Sequence, residues 1–285
     1  MRTSDEINEI CKEALAEYLN TPEEQRSLTK LGRKYNIKRQ TLSERFKKWG
    51  YKVVNQQNRC RLNESCFDSM DSEEQFYWLG FLYADGNISK EGYRIEMRLS
   101  IKDIEHLEKF RSFLQLTTKI RTGECNGNGF CHLSVRNKHL WNKLNSLGCV
   151  PNKSLILTFP KLQLFTKKEY VLHFIRGYVD GDGCLSLSKD GDKIRTRISI
   201  VGTESFLNTI NKIFKNKGYL RSKETLSYKN KAFELRFSDL SSRRLARYLY
   251  ENATVYLDRK YKKYLEYCRL EEESSRRLSS KIGES

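Results

Sequence analysis

The sequence predicts an α+β protein: two pseudo-symmetric α-β-β-α-β-β-α halves preceded by a small all-helical segment. Three observations lead there. An apolar stretch closed by Asp-Gly occurs twice, at residues 76–86 (FYWLGFLYADG) and 174–183 (FIRGYVDGDG). Each copy leads into a run in which apolar and polar residues alternate with period two, the mark of a strand with one buried and one wet face. Residues 1–55 instead carry helix punctuation.

In the first segment, Thr21-Pro22-Glu23-Glu24 reads as a capping box opening a helix. Leu28, Leu31 and Tyr35 then mark one apolar helical face, and Asn36 suits the left-handed backbone of a tight turn. Ile37 plugs the turn, Leu42 and Phe46 mark the buried face of a second helix, and Gly50 ends it. The second helix turns Lys38, Arg39, Gln40, Ser43, Glu44 and Lys47 outward, so the segment resembles a helix-turn-helix. The alternative is an ordinary helical hairpin with a solvated basic face. Charge placement favours DNA: residues 1–25 hold two basic and seven acidic side chains, residues 26–61 twelve basic and one acidic.

Residues 56–72 are polar, without periodicity, and read as a linker. The halves follow at 73–165 and 166–270. In the first, Tyr93, Ile95, Met97, Leu99 and Ile101 alternate with Arg94, Glu96, Arg98 and Ser100; in the second, Ile194, Thr196, Ile198 and Ile200 alternate with Lys193, Arg195, Arg197 and Ser199. Helical patterns at 103–114 and 203–217 come next, then strands at 130–137 and 232–240. The wet faces place Arg94, Arg98, Arg136, Arg195, Arg197 and Arg236 as candidates for groove and phosphate contacts, or for a merely solvated sheet face. Residues 271–285, charged and serine-rich, read as a flexible tail.

Composition narrows the partner. A net charge of +17 calls for an anion, and nucleic acid is the first candidate. No apolar run approaches the length of a bilayer span, and the first residues lack a signal-peptide pattern; a soluble, cytoplasmic protein is expected. Eight cysteines without a CxxC pair argue for reduced thiols over a zinc site, and the four histidines form no cluster.

The chemistry sits where the repeats end. Gly80 and Ala84, like Gly177 and Gly181, are four residues apart, so small residues share one helical face and two helices can abut there. Gly86 and Gly183 read as C-terminal caps, which puts Asp85 and Asp182 at two adjacent helix ends. Helix dipoles disfavour carboxylates there, and two unit charges ~5 Å apart repel by roughly 3 kcal/mol at an effective dielectric near 20. A cation should offset this. Mg²⁺ fits, because it takes oxygen ligands, keeps waters and completes its shell with phosphate. Metal-assisted phosphodiester hydrolysis follows.

WLGFLYADG and IRGYVDGDG resemble two copies of the LAGLIDADG motif of homing endonucleases, and the resemblance extends over about residues 73–268. It implies a DNA-binding saddle formed by the sheets, metal bound by Asp85 and Asp182, and Mg²⁺ (with Mn²⁺ as a substitute) as cofactor. It also implies a basic residue near each scissile phosphate. The segments GCVPNKS and YLDRKYKKY are similar to those and give Lys153 and Lys260. Two departures stand out: Tyr83 replaces the first motif acid that Asp180 keeps, and Arg176 replaces a small residue, which predicts a loosened contact or an outward side chain. Both motifs lie in one chain, so a monomer acting on double-stranded DNA is expected. A noncatalytic DNA-binding regulator on the same fold and a maturase acting on host intron RNA are the alternatives.

Overall fold

The computed structural model describes residues 3–53, 61–153, 156–191, 193–216, 225–229 and 232–283. The chain divides into two compact units, residues 1–61 and 62–285.

The first unit holds helices α1 (Ser4–Asn20), α2 (Leu28–Lys34) and α3 (Arg39–Lys48) around a core of Cys11, Ala14, Leu15, Tyr18, Leu28, Leu31, Leu42 and Phe46. Asn36 takes φ 50° in the turn between α2 and α3. A side chain at Gly32 would run into the Ile37 carbonyl, so glycine lets the turn close. The capping box lies elsewhere than expected: Thr3 and Glu6 form it at the start of α1. Thr21 instead closes α1, its hydroxyl donating to the Glu17 carbonyl, and Ser27 caps α2. Pro22 and the short 3-10 turn Glu23–Gln25 leave no room for a further helix there.

The second unit repeats one element order. The first half runs α4 (Glu73–Asp85), β1 (Gly86–Ser89), β2 (Arg94–Ser100), α5 (Ile104–Phe113), β3 (Arg121–Cys125), β4 (Asn128–Arg136) and α6 (Lys138–Ser146). The second runs α7 (Lys168–Asp182), β5 (Gly183–Asp190), β6 (Lys193–Gly202), α8 (Glu204–Asn216), β7 (Thr225–Lys229), β8 (Ala232–Ser238) and α9 (Leu240–Tyr250), followed by α10 (Asp258–Gly283). Both sheets are antiparallel, with orders β1-β2-β4-β3 and β5-β6-β8-β7. This is the two-half α-β-β-α-β-β-α fold.

Alternation sets the faces. Ile95, Met97 and Leu99 of β2 and Cys131, Leu133 and Val135 of β4 point into the core. Ile198 and Ile200 do the same in β6, whereas Ile194 is exposed at the hairpin end and Thr196 is buried with its hydroxyl 2.7 Å from that of Ser242.

Two boundaries differ from the reading of the sequence. Residues 56–60 of the expected linker lie outside the described residues. Its remainder packs into the second unit, where Cys66, Phe67 and Met70 are buried in the core and Gln75 donates to the Cys66 carbonyl. The expected tail continues α10 as far as Gly283. Among the described residues, no helix is long and apolar enough to cross a membrane.

Candidate active site at the paired helix ends

Helices α4 and α7 abut along their small residues. An added methyl at Gly80 would overlap the Phe174 carbonyl, and one at Gly177 the Tyr77 carbonyl, so the two backbones meet reciprocally. One at Gly181 would overlap the Ala84 side chain and come within 3.2 Å of Asp85 Oδ2. The four residues Gly80, Ala84, Gly177 and Gly181 therefore line this contact. Gly86 and Gly183 end their helices in extended backbone (φ −73° and −92°), not in the left-handed conformation of a glycine cap. Glycine is needed there for space, since a side chain would strike the Leu82 and Val179 carbonyls as helix passes directly into strand.

Asp85 and Asp182 close the two helices side by side. Both keep exposed surface, yet protein crowds them from behind. Burial, and after it the charge of Asp182, raise the Asp85 carboxyl to about 6 against the pull of Lys260, Lys153 and Arg259. Burial likewise raises Asp182, against Lys153, Lys260 and the Tyr178 hydroxyl. Two carboxylates held together with raised pKa make a site that gains from a cation.

Each helix end meets one lysine. Lys153 Nζ donates to the Gly86 carbonyl. Lys260 Nζ donates to the carbonyls of Val179, Asp180 and Gly183, each at 2.6 Å, with Gly181 at 3.3 Å. Lys260 is only 3% exposed, and burial pulls its ammonium down to about 8.

The first motif position differs between halves. Tyr83 donates to the Leu147 carbonyl at 2.6 Å. Asp180, fully buried, accepts from Tyr250 at 2.6 Å, Tyr77 at 2.7 Å and the Leu257 amide at 2.8 Å. With the Tyr77 hydroxyl donating to Asp180, His106 Nε2, 3.1 Å away, carries the hydrogen toward the Tyr77 oxygen. Burial depresses this imidazole to about 3 and keeps it neutral.

Arg176 neither loosens the interface nor points outward. It is 2% exposed and donates to Glu73 of α4 at 2.6 Å, to the Val255 carbonyl at 3.0 Å and to the Leu249 carbonyl at 3.1 Å. A buried guanidinium requires such partners. Sequence reasoning missed this clamp because Glu73 lies 103 residues away, as it missed the pairing of Arg259 with Asp103.

The chain resembles solved LAGLIDADG endonucleases. The meganuclease I-AabMI bound to uncleaved DNA is 12% identical over 71% of this chain and 91% of that one, with a TM-score of 0.47. The homing endonuclease I-LtrWI bound to target DNA is 12% identical over 70% and 90%, TM-score 0.47. I-SmaMI, bound to an uncleaved DNA target in the presence of calcium ions, is 10% identical over 68% and 89%, TM-score 0.45. No family model and no curated protein matches this chain. These likenesses are distant.

The polar sheet faces are mixed in charge. Arg94, Arg195 and Arg236 are paired with Glu96, Asp239 and Glu234 at 3.5, 3.0 and 2.5 Å. Arg98 stacks on Phe130, 3.7 Å from the ring centre, and Arg136 and Arg197 are exposed. Lys38, which precedes α3, and Arg39, Gln40 and Lys47 within it are exposed and Ser43 is half-buried, while Glu44 accepts from Gln40.

Proposed function

We propose that this chain is a LAGLIDADG homing endonuclease, a monomer that makes a metal-dependent double-strand break in a long double-stranded DNA site. The observation that carries the reading is the meeting of Asp85 and Asp182 at two abutting helix ends, with a lysine against each end.

The donor set fits a hard divalent ion that keeps water. Among the described residues, no group of three or more His, Cys, Asp or Glu side chains could hold a metal ion, so the protein offers two carboxylates and leaves the other positions to water and phosphate oxygen. Mg²⁺ binds in this way, and Mn²⁺ takes the same ligands. When bound, such an ion supplies an activated water and stabilises the leaving oxygen. Asp85 and Asp182 would hold it, and they are ready to do so above the pH at which Asp85 loses its proton. Lys153 and Lys260 bring positive charge to the same edge and keep both carboxylates from rising further.

The excess of basic residues supports DNA as the partner. Arg94, Arg98, Arg136, Arg195, Arg197 and Arg236 lie on the sheet faces that would meet it. The exposed Lys38, Arg39, Gln40 and Lys47 at and along α3, with Ser43, would add affinity from the first unit.

Incubating the protein with genomic DNA of its source and mapping the new ends tests this reading. Paired ends at a single site are expected with Mg²⁺ or Mn²⁺, and none with a chelator. A folded protein that binds a specific site yet leaves it uncut in every metal would be a DNA-binding regulator instead.

A further inference from the structure

The two lysines are not equivalent. All three ammonium protons of Lys260 are taken by the carbonyls of Val179, Asp180 and Gly183, and the side chain is buried. Lys153 is half-exposed and, among the described residues, donates to Gly86 alone. A lysine can hydrogen-bond a phosphate oxygen directly only with an N–H left to give.

The loops that deliver the lysines are held differently as well. The Leu257 amide, three residues before Lys260, is fixed by Asp180, which Tyr77 and Tyr250 hold in turn. These bonds tie α4, α7 and α9 to the start of α10. The loop before Lys153 is held by Tyr83 through the Leu147 carbonyl. Asp180 therefore sets Lys260 into the end of α7, whereas Lys153, half-exposed, keeps N–H groups beyond the one it gives to Gly86.

We propose that the two half-sites divide the work. Lys153 serves a scissile phosphate directly, whereas Lys260 is a positioning residue that, with Asp180, caps the carbonyl end of α7 and so fixes Asp182. The inference rests on the nuclease reading. It departs from that reading's simplest form, in which each lysine serves its own strand.

The test has two arms. The folded, DNA-free protein is treated with formaldehyde and dimethylamine-borane, and each lysine's methylation is followed by mass spectrometry. Lys153 should react with the exposed lysines while Lys260 stays protected until the protein is denatured. Equal reactivity of the two would overturn the proposal.

In the second arm, the mapped site is labelled on one strand or the other and cut in single turnover. Lys153→Met should slow one strand on the order of a hundredfold, the loss seen when one preorganised charge-stabilising donor is removed, so that nicked duplex accumulates. Lys260→Gln, which keeps a polar group, should lower the melting temperature and slow both strands alike. Asp180→Asn should do the same if it folds. Strand-selective loss in Lys260→Gln mirroring that of Lys153→Met would overturn the division of labour and leave the nuclease reading intact. A wild-type protein that cuts neither strand would sink both.

Discussion

In the first half, a tyrosine at the first motif position gives its hydroxyl to a backbone carbonyl, and the nearby lysine stays half-exposed. In the second half, the matching position is a fully buried aspartate that gathers two tyrosine hydroxyls and a backbone amide, and the nearby lysine is locked among carbonyls. The helix contact itself is symmetric, with Gly80 and Gly177 each meeting the other helix's backbone. Symmetry is thus kept where two backbones touch, and lost one turn later, where side chains hold the loops. A duplicated fold can keep its axis while its two ends take different tasks.

The largest effect should come from the symmetric part. Gly80→Ala and Gly177→Ala each force a methyl into a carbonyl that cannot move aside, and should cost on the order of 3 kcal/mol or more, with similar losses in thermal or denaturant melts. Markedly unequal losses would show that the helix contact is not reciprocal.

The anchors should differ. Asp180→Asn disturbs a buried, fully bonded carboxylate and should cost on the order of 3 kcal/mol. Tyr83→Phe removes one hydrogen bond and should cost about 1 kcal/mol. Equal losses would erase the contrast between halves.

Proton linkage gives a third contrast. Asp85, raised to about 6, binds its proton more tightly folded than unfolded, so the metal-free protein should gain stability as pH falls through 6 toward 4. Lys260, lowered to about 8, releases its proton more readily when folded, so stability should rise from pH 8 toward 10. A stability minimum near neutrality is expected in melts across pH, and Asp85→Asn should flatten the acid limb alone. An unchanged acid limb in that variant would move the linkage to another group.

Much of this was legible in the sequence because it is local. Period two marked the strands, Asp-Gly marked the helix ends, and four-residue spacing marked the contact of Gly80, Ala84, Gly177 and Gly181. What was hidden depends on distant partners. Arg176 reads as an intruder until Glu73 is beside it, and nothing in the segment around Lys260 announces the carbonyls of α7 that surround its ammonium. The segment after residue 61 reads as linker because Cys66, Phe67 and Met70 follow no period, yet a core can bury apolar residues without one.

Smaller effects are expected at the surface. Arg195 already has Asp239 as a partner, whereas among the described residues Arg197 pairs with no carboxylate, so Arg197→Ala should weaken DNA binding more than Arg195→Ala. Removing residues 1–55 should also weaken binding and make it less sensitive to salt without moving the cut. Gel shifts across salt concentrations would measure both, and a truncated protein that binds as tightly as the full chain would exclude α3 from the interface.

On the nuclease reading, Asp85 and Asp182 together hold the metal that cuts both strands. One preparation each of Asp85→Asn and Asp182→Asn, assayed by gel shift and by plasmid cleavage in Mg²⁺ and in Ca²⁺, tests it most directly. Asn keeps the size of Asp and removes a charge that repels phosphate, so binding should hold or tighten while cutting of both strands is lost. Cleavage near the wild-type rate by either variant would contradict the account, and clean nicking by one would contradict the sharing of metal between the two acids.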